Sequence, residues 1–125
     1  MTGEPRSPAR RLTGRLLIDS AALPSGRRAT VYVRLLEAGE QDAPATRVGQ
    51  VVLRDVDLAA LRGGSVEFQI DAPPLEPRGT YVVRALADMD GDGETGKGDY
   101  CSTVSYPVLT RGHPADVTVR MKYVE

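Results

Sequence analysis

The chain has 125 residues, a hydrophobic fraction of 41% and a formal net charge of -1 at pH 7. This length predicts a single domain with enough apolar residues for a small core. The near-neutral charge disfavours nucleic acid and membrane surfaces as partners, because both attract strongly basic proteins. No apolar run in the sequence is long enough to span a bilayer.

Residues 1–11 are rich in proline and arginine, and we expect them to form a disordered arm ahead of one domain at 12–125. The arm contains no apolar segment typical of a signal peptide. As written, the sequence therefore predicts a cytoplasmic protein. If a leader preceded this segment and was removed, an envelope or secreted protein is predicted instead.

Short apolar runs separated by turn residues follow the arm. Alternation of apolar and polar residues predicts half-buried strands, and it is clearest at 66–70 and 117–123. The run at 57–61 predicts a single helical turn. Strands are predicted at 12–19, 29–36, 47–54, 66–70, 80–87, 100–106 and 117–123.

Seven short strands without a helix of ordinary length indicate an all-β fold. Their spacing predicts an antiparallel β-sandwich with immunoglobulin-like architecture. Residues 72–77 contain three prolines and predict an extended connector outside the ladders, because proline has no N–H to donate to a neighbouring strand.

An acidic stretch at 88–99 joins two predicted strands and has the spacing of a calcium-binding loop. Counted from residue 88, carboxylates occupy the first, third, fifth and twelfth positions, and a glycine stands at the sixth, where the chain must turn sharply. Ca²⁺ is a hard cation that prefers such oxygen ligands. We predict side-chain ligation by Asp88, Asp90, Asp92 and Asp99, and backbone-carbonyl ligation by Glu94.

The residues after this loop are β-branched and aromatic, and Pro107 would break a helix, so the flanking helices of a true EF-hand are not expected. The sequence therefore predicts an EF-hand-like loop between two strands. Its affinity should be weak, because Asp99 is one methylene shorter than the usual glutamate at the twelfth position. An aspartate- and glycine-rich turn without metal is the alternative interpretation.

No catalytic constellation is visible in the sequence. Cys101 and His113 are each the only residue of their type, so neither an intrachain disulfide nor a zinc site is supported. The serines have no nucleophile motif around them. We therefore predict that the chain is not an enzyme.

Several segments together resemble a known bacterial family. Residues 12–18, the Leu23-Pro24 turn and the alternating strand at 29–37 resemble the YbaY-like family, which is related to the YscW-type pilotins of type III secretion. Residues 66–70 and 81–85 are similar to later strands of that family. The resemblance implies a small β-sandwich, and many members are envelope lipoproteins. The lipobox cysteine of those members has no counterpart, because Cys101 lies far from the N-terminus.

The acidic loop is also similar to the calcium loops of dockerin modules, which occur in pairs on helices, whereas this chain has one. Two functions remain open. The leading one is a non-enzymatic β-sandwich module with a structural Ca²⁺ ion. The alternative is a protein-interaction module of pilotin or chaperone type, which binds a protein partner at a sheet edge or through the 37–45 loop and needs no metal.

Overall fold

The structure is a computed structural model that describes residues 10–18, 28–38, 45–58, 65–88, 100–102, 104 and 106–123. Within these ranges the chain is all-β. Its eight strands are Arg10–Ile18 (β1), Arg28–Glu37 (β2), Thr46–Asp57 (β3), Val66–Ala72 (β4), Tyr81–Asp88 (β5), Tyr100–Ser102 (β6), Tyr106–Val108 (β7) and Asp116–Tyr123 (β8). No helix in the described ranges has the length and apolar character needed to cross a membrane.

The predicted strands are all present, although their ends shift by a few residues. The strand predicted at 100–106 is two short strands, β6 and β7. β1 begins at Arg10, inside the predicted arm, and residues 1–9 lie outside the described ranges. The predicted helical turn at 57–61 is described only at Asp57, the last residue of β3, and at the buried Leu58.

One continuous sheet contains all of the described strands. Its order is β3–β2–β5–β6–β8–β1–β4, and β7 continues along β5 where β6 ends. Neighbouring strands are antiparallel except β1 and β8, which run parallel from the pair Thr13–Asp116 to the pair Ile18–Met121. The sheet curves until β3 and β4, its two outer strands, come close together, so it is nearly closed and barrel-like.

This single sheet differs from the predicted immunoglobulin-like sandwich, which would consist of two stacked antiparallel sheets. The alternation of apolar residues identifies the buried face of each strand, but a curved sheet and a sandwich both bury one face per strand. The parallel pairing of β1 with β8 likewise leaves no mark in the alternation, because it joins strands that are far apart in the sequence.

The interior is filled by the inward-facing side chains of each strand. On β2, Val31, Val33 and Leu35 are fully buried and alternate with half-buried residues. β5 crosses the middle of the sheet and is buried on both faces except at Arg84, which explains its nearly continuous apolar sequence. The largest fully buried side chains are Leu12, Leu16, Val31, Val33, Leu35, Leu58, Ile70, Val83, Val108, Val119 and Met121.

A glycine allows β1 to lie close to both of its neighbours. A Cβ atom at Gly14 would lie 2.5 Å from Cζ of Phe68 and would also collide with the carbonyl oxygen of Val117. Gly14 and Phe68 are directly opposite in the β1–β4 ladder, so the ring occupies the space of the missing side chain. We call the three strands β4, β1 and β8 wall A, and the three strands β3, β2 and β5 wall B.

Candidate functional site

Two strand edges face each other without a ladder between them. In the described ranges, β3 pairs with β2 alone and β4 pairs with β1 alone. We call these facing edges of β3 and β4 the seam. At its closest point, a Cβ atom at Gly49 of β3 would lie 3.0 Å from Cγ2 of Ile70 on β4. Unpaired backbone N–H and C=O groups along a strand edge are a template for an added strand.

β3 is bulged twice, once near each end. The first register shift leaves Val48 as an extra residue between the pairs Leu35–Gly49 and Leu36–Arg47. Bulges in edge strands re-aim side chains and limit indiscriminate pairing with other chains. At this bulge the half-buried Val48 lines a groove beside the seam.

The second bulge is fixed by an arginine. Asp55 has a φ of 57° there, and Nη1 of Arg28 donates a hydrogen bond to its carbonyl oxygen at 2.8 Å. The same nitrogen lies 3.5 Å from the Asp55 carboxylate. Aspartate tolerates the left-handed conformation better than most residues, so the bulge is stable where it stands. The bulge therefore interrupts the regular run of backbone positions along the free edge of β3.

The groove has a volume of about 500 Å³ and opens where the seam meets the connector after β4. Glu37 at the end of β2 and Tyr81 at the start of β5 lie opposite each other in the ladder and form one side. Val48 and the proline-rich residues 73–77 form the other. The lining combines apolar side chains with polar backbone and with the carboxylates of Glu37 and Glu76, and polar atoms form slightly more than half of its exposed surface.

The proline-rich connector is held rigidly. Leu75 is buried in the core, and the backbone N–H of Glu76 donates a hydrogen bond to Oη of Tyr81 at 2.9 Å. The N–H of Gly79 donates to the carbonyl of Glu76 at 2.9 Å, and Oγ1 of Thr110 donates to the carbonyl of Gly79 at 2.7 Å. The groove wall is therefore formed before any ligand binds, as is usual for binding sites.

Of the predicted calcium ligands, only Asp88 is described. It is the last residue of β5, is 4% exposed, lies opposite Thr30 of β2 and has interaction partners within the protein. In the described ranges, no three His, Cys, Asp or Glu side chains gather into a group that could hold a metal ion. The calcium site stays a prediction, because residues 89–99 lie outside those ranges, and with them Asp90, Asp92, Glu94 and Asp99.

The side chains considered for catalysis have structural surroundings. Cys101 lies half-buried on β6, and His113 is exposed in the turn before β8. Oγ of Ser102 accepts a hydrogen bond from the backbone N–H of Ala85 at 3.0 Å. This bond takes the place of a ladder hydrogen bond in the gap between β6 and β7. Ser102 therefore stabilises the sheet beside β5.

The sequence predicts a sheet edge as one candidate interaction site but does not indicate which strand provides it. Gly49 is the sequence feature that points to β3, because a glycine inside a strand marks a bulge or a close approach of another backbone. The connector predicted at 72–77 is confirmed at 73–77, because Ala72 is the last residue of β4 and pairs with Arg10. Its role as a groove wall depends on Leu75 and Tyr81, which are close only in the folded chain.

No protein-family model and no curated protein matches this sequence. The fold is similar to that of an alternative pilotin from the type II secretion system of Vibrio cholerae. The TM-score is 0.70 with 20% sequence identity, and the match covers 94% of this chain and 98% of that one. At the level of the fold, this likeness is consistent with the pilotin-related resemblance of the sequence.

Proposed function

We propose that this chain is a non-enzymatic accessory protein that binds a protein partner at the seam, as a pilotin-like module of a bacterial secretion system. The observation that carries the proposal is the outer edge of β3, which pairs with no other described strand and lies beside a preformed groove. The fold likeness to a type II pilotin supports an accessory role of this kind.

An extended segment of the partner would insert between β3 and β4 and form main-chain hydrogen bonds with β3. For this, β4 must move away from β3, because the two strands come close at Gly49 and Ile70. Alternate side chains of such a segment point to opposite faces of the sheet. Those that point inward at the Val48 end would enter the groove, where Val48 and Leu75 offer apolar contacts. An apolar side chain of the partner would contact Val48 and the prolines in this mixed groove, while backbone pairing supplies affinity that does not depend on sequence.

Site-specific photo-crosslinking in cells that naturally produce the chain tests this function. A photoreactive amino acid replaces Thr46 at the start of β3 or Glu76 in the groove wall, both of which are exposed. The matched control position is Arg120, which is exposed on β8, away from the seam. We expect the same protein to cross-link from Thr46 and from Glu76, and not from Arg120.

A second variant links the cross-link to the groove. Val48→Lys places a charge among the apolar side chains of the lining and should abolish cross-linking from Glu76 while circular dichroism shows an unchanged all-β fold. Equal labelling from all three positions, or labelling from Glu76 that survives Val48→Lys in a folded protein, would contradict the proposal.

We also propose that the acidic loop holds one Ca²⁺ ion, with Asp88, Asp90, Asp92 and Asp99 as side-chain ligands and Glu94 as a carbonyl ligand. Asp88 supports this proposal, because this buried acidic residue ends β5, the strand that leads into the acidic loop. The expected affinity is weak, with a Kd of roughly 10⁻⁴ M or higher.

Thermal unfolding in chelator and in millimolar calcium tests the metal proposal. Ca²⁺ at about ten times its Kd should stabilise the wild-type protein by about 1.4 kcal/mol, which raises Tm by several degrees. Asp92→Asn should remove most of the increase, and Asp71→Asn, a control on the exposed outer strand β4, should keep it. An identical Tm with and without calcium in the wild-type protein refutes the site.

A further inference from the structure

The outward face of wall B carries a polar row that runs across its three strands. Gln50 of β3 lies opposite Arg34 of β2, and Arg34 lies opposite Arg84 of β5. Gln50 and Arg84 are exposed, and Arg34 is half-buried. Because neighbouring strands lie about 4.8 Å apart, the two guanidinium groups project from adjacent backbone positions.

Arg34 and Arg47 share one neutral acceptor. Nε of Arg34 donates to Oε1 of Gln50 at 2.9 Å, and Nη1 of Arg47 donates to the same oxygen at 3.1 Å. Cζ of Arg34 also lies 5.0 Å from the centre of the Tyr32 ring. Glutamine orients the two arginines but adds no negative charge. We call Arg34, Arg47 and Arg84 the arginine row.

Arg84 is the most available cation of this row. Among the described residues, it has no side-chain hydrogen bond or ion pair, and it is exposed. The outward positions beside it on β5 are Val82 and Leu86, both apolar. An arginine between two apolar residues, directly opposite another arginine, is unfavourable for the sheet itself, since like charges at opposite cross-strand positions repel.

We propose that the arginine row binds carboxylates of an acidic segment of the partner protein. Arg47, on the strand that receives the segment, is the principal contact, and Arg34 and Arg84, one and two strands further in, are weaker ones. Guanidinium groups bind carboxylates through paired N–H donors, which gives both strength and orientation. The inference rests on the proposed function in that the ligand is a strand added to β3. It goes further by specifying the chemistry of that strand.

The position of the row relative to the seam favours this ligand. Gln50 and Arg47 are on β3, the strand whose free edge would receive the added strand. Cross-strand neighbours have Cβ atoms about 4.5–5.5 Å apart, so outward side chains of the added strand would stand next to Gln50 and Arg47. Inward side chains of the same strand point to the groove. The predicted segment therefore alternates acidic residues with apolar ones.

Other anionic ligands fit the molecule less well. Nucleic acid and anionic membranes require broad basic surfaces, whereas this chain has a net charge of -1. The arginine row is narrow, and its neighbours on the outward face include Tyr32 and Val52, which suit contacts with the side chains of a peptide.

Two synthetic peptides distinguish the possibilities when titrated into the ¹⁵N-labelled full chain. One alternates glutamate with valine, and the other has glutamine in place of each glutamate. We expect the glutamate peptide to shift amide resonances of β3 and β2. Arg47→Gln should weaken its binding by about fivefold to tenfold, and Arg84→Gln, two strands further from the peptide, should weaken it by a smaller factor. Arg15→Gln, the control on wall A, removes the same charge and should leave the Kd unchanged.

The inference is overturned if the glutamine peptide binds equally well, or if Arg15→Gln weakens binding as much as Arg47→Gln. It is also overturned if vesicles of anionic phospholipid or duplex DNA shift the same resonances and the glutamate peptide does not. Failure here can be separated from failure of the proposed function. Cross-links from Thr46 and Glu76 that persist unchanged in Arg47→Gln retain the seam as the binding site and reject the arginine row.

Discussion

Wall A places opposite charges at opposite cross-strand positions, whereas wall B places two arginines there. On wall A, Arg11 lies opposite Asp71, with Nε 3.1 Å from Oδ1, and Arg15 lies opposite Glu67. On wall B, Arg34 lies opposite Arg84. Arg34 is half-buried and the other charged residues of these pairs are exposed, so each pair changes stability by only a few tenths of a kcal/mol. The charge pairs of wall A stabilise the fold, whereas the arginine pair of wall B slightly destabilises it. This difference indicates that the arginines of wall B have a purpose other than folding.

The strands of wall A also pack more tightly than those at the seam beside wall B. Gly14 in wall A is enclosed by the Phe68 ring and a backbone carbonyl, neither of which can move freely. Gly49, at the edge of wall B, has Cγ2 of Ile70 as its nearest neighbour at 3.0 Å and Cβ of Leu35 at 3.6 Å. Wall A is therefore tightly closed, and the seam beside wall B has room to adjust.

The same substitution at the two glycines should give the largest difference between the walls. Gly14→Ala forces a methyl group against Phe68 and the Val117 carbonyl, so β1 must move away from β4 or β8. We expect a loss of about 3 kcal/mol or more in the free energy of unfolding, measured by urea denaturation. Gly49→Ala should cost about 1 kcal/mol or less, because the overlap with Ile70 is smaller and a shift of a few tenths of an ångström relieves it. Equal losses at the two sites would show that the walls are equally tight.

The connector between the walls provides the second test. Leu75 is 6% exposed and anchors the residues that lead from β4 to β5. Leu75→Ala should cost about 2–3 kcal/mol, because a cavity remains where the side chain was buried. It should also reduce cross-linking from Glu76, since the groove wall loses its anchor. Val104→Ala, at a side chain that is 58% exposed, is the control and should leave stability unchanged within error.

Removal of the Tyr81 hydroxyl group should have a smaller effect on the same connector. Tyr81→Phe removes the acceptor of the Glu76 N–H but keeps the buried ring. We expect a loss of about 1 kcal/mol, as for one net hydrogen bond, and faster amide hydrogen exchange at Glu76 than in the wild-type protein. Unchanged exchange at Glu76 would mean that this hydrogen bond does not hold the groove wall.

The sequence predicts the strands well, because alternation at Val31, Val33 and Leu35 follows directly from burial of one face. It does not predict which strands are neighbours. The parallel β1–β8 pair and the facing of β3 and β4 depend on sheet curvature and on contacts such as Gly14 with Phe68, between residues far apart in the chain. The expected sandwich was therefore replaced by one curved sheet.

The candidate site was predictable in part. A sheet edge was one of the predicted interaction sites, and the prolines at 73–77 were correctly placed outside the ladders. The arginine row was not predicted, because Arg34, Arg47 and Arg84 are separated in sequence and become neighbours only through the β3–β2–β5 register. The calcium ligands differ in this respect, because their spacing is visible in the sequence alone. Calcium titration is the measurement that tests whether they bind the ion.

The smallest expected effect tests the charge contrast between the walls directly. Arg84→Gln removes a like-charge neighbour of Arg34 and should stabilise the protein by a few tenths of a kcal/mol at low ionic strength. Arg15→Gln removes the cross-strand partner of Glu67 and should destabilise it by a similar amount. Added salt should diminish both changes, because these side chains are exposed and screened. A variant that gains stability while it binds the acidic peptide less tightly would show that Arg84 is kept for binding. If both substitutions destabilise the protein equally, the two walls do not differ in their use of charge, and the arginine row loses its main physical support.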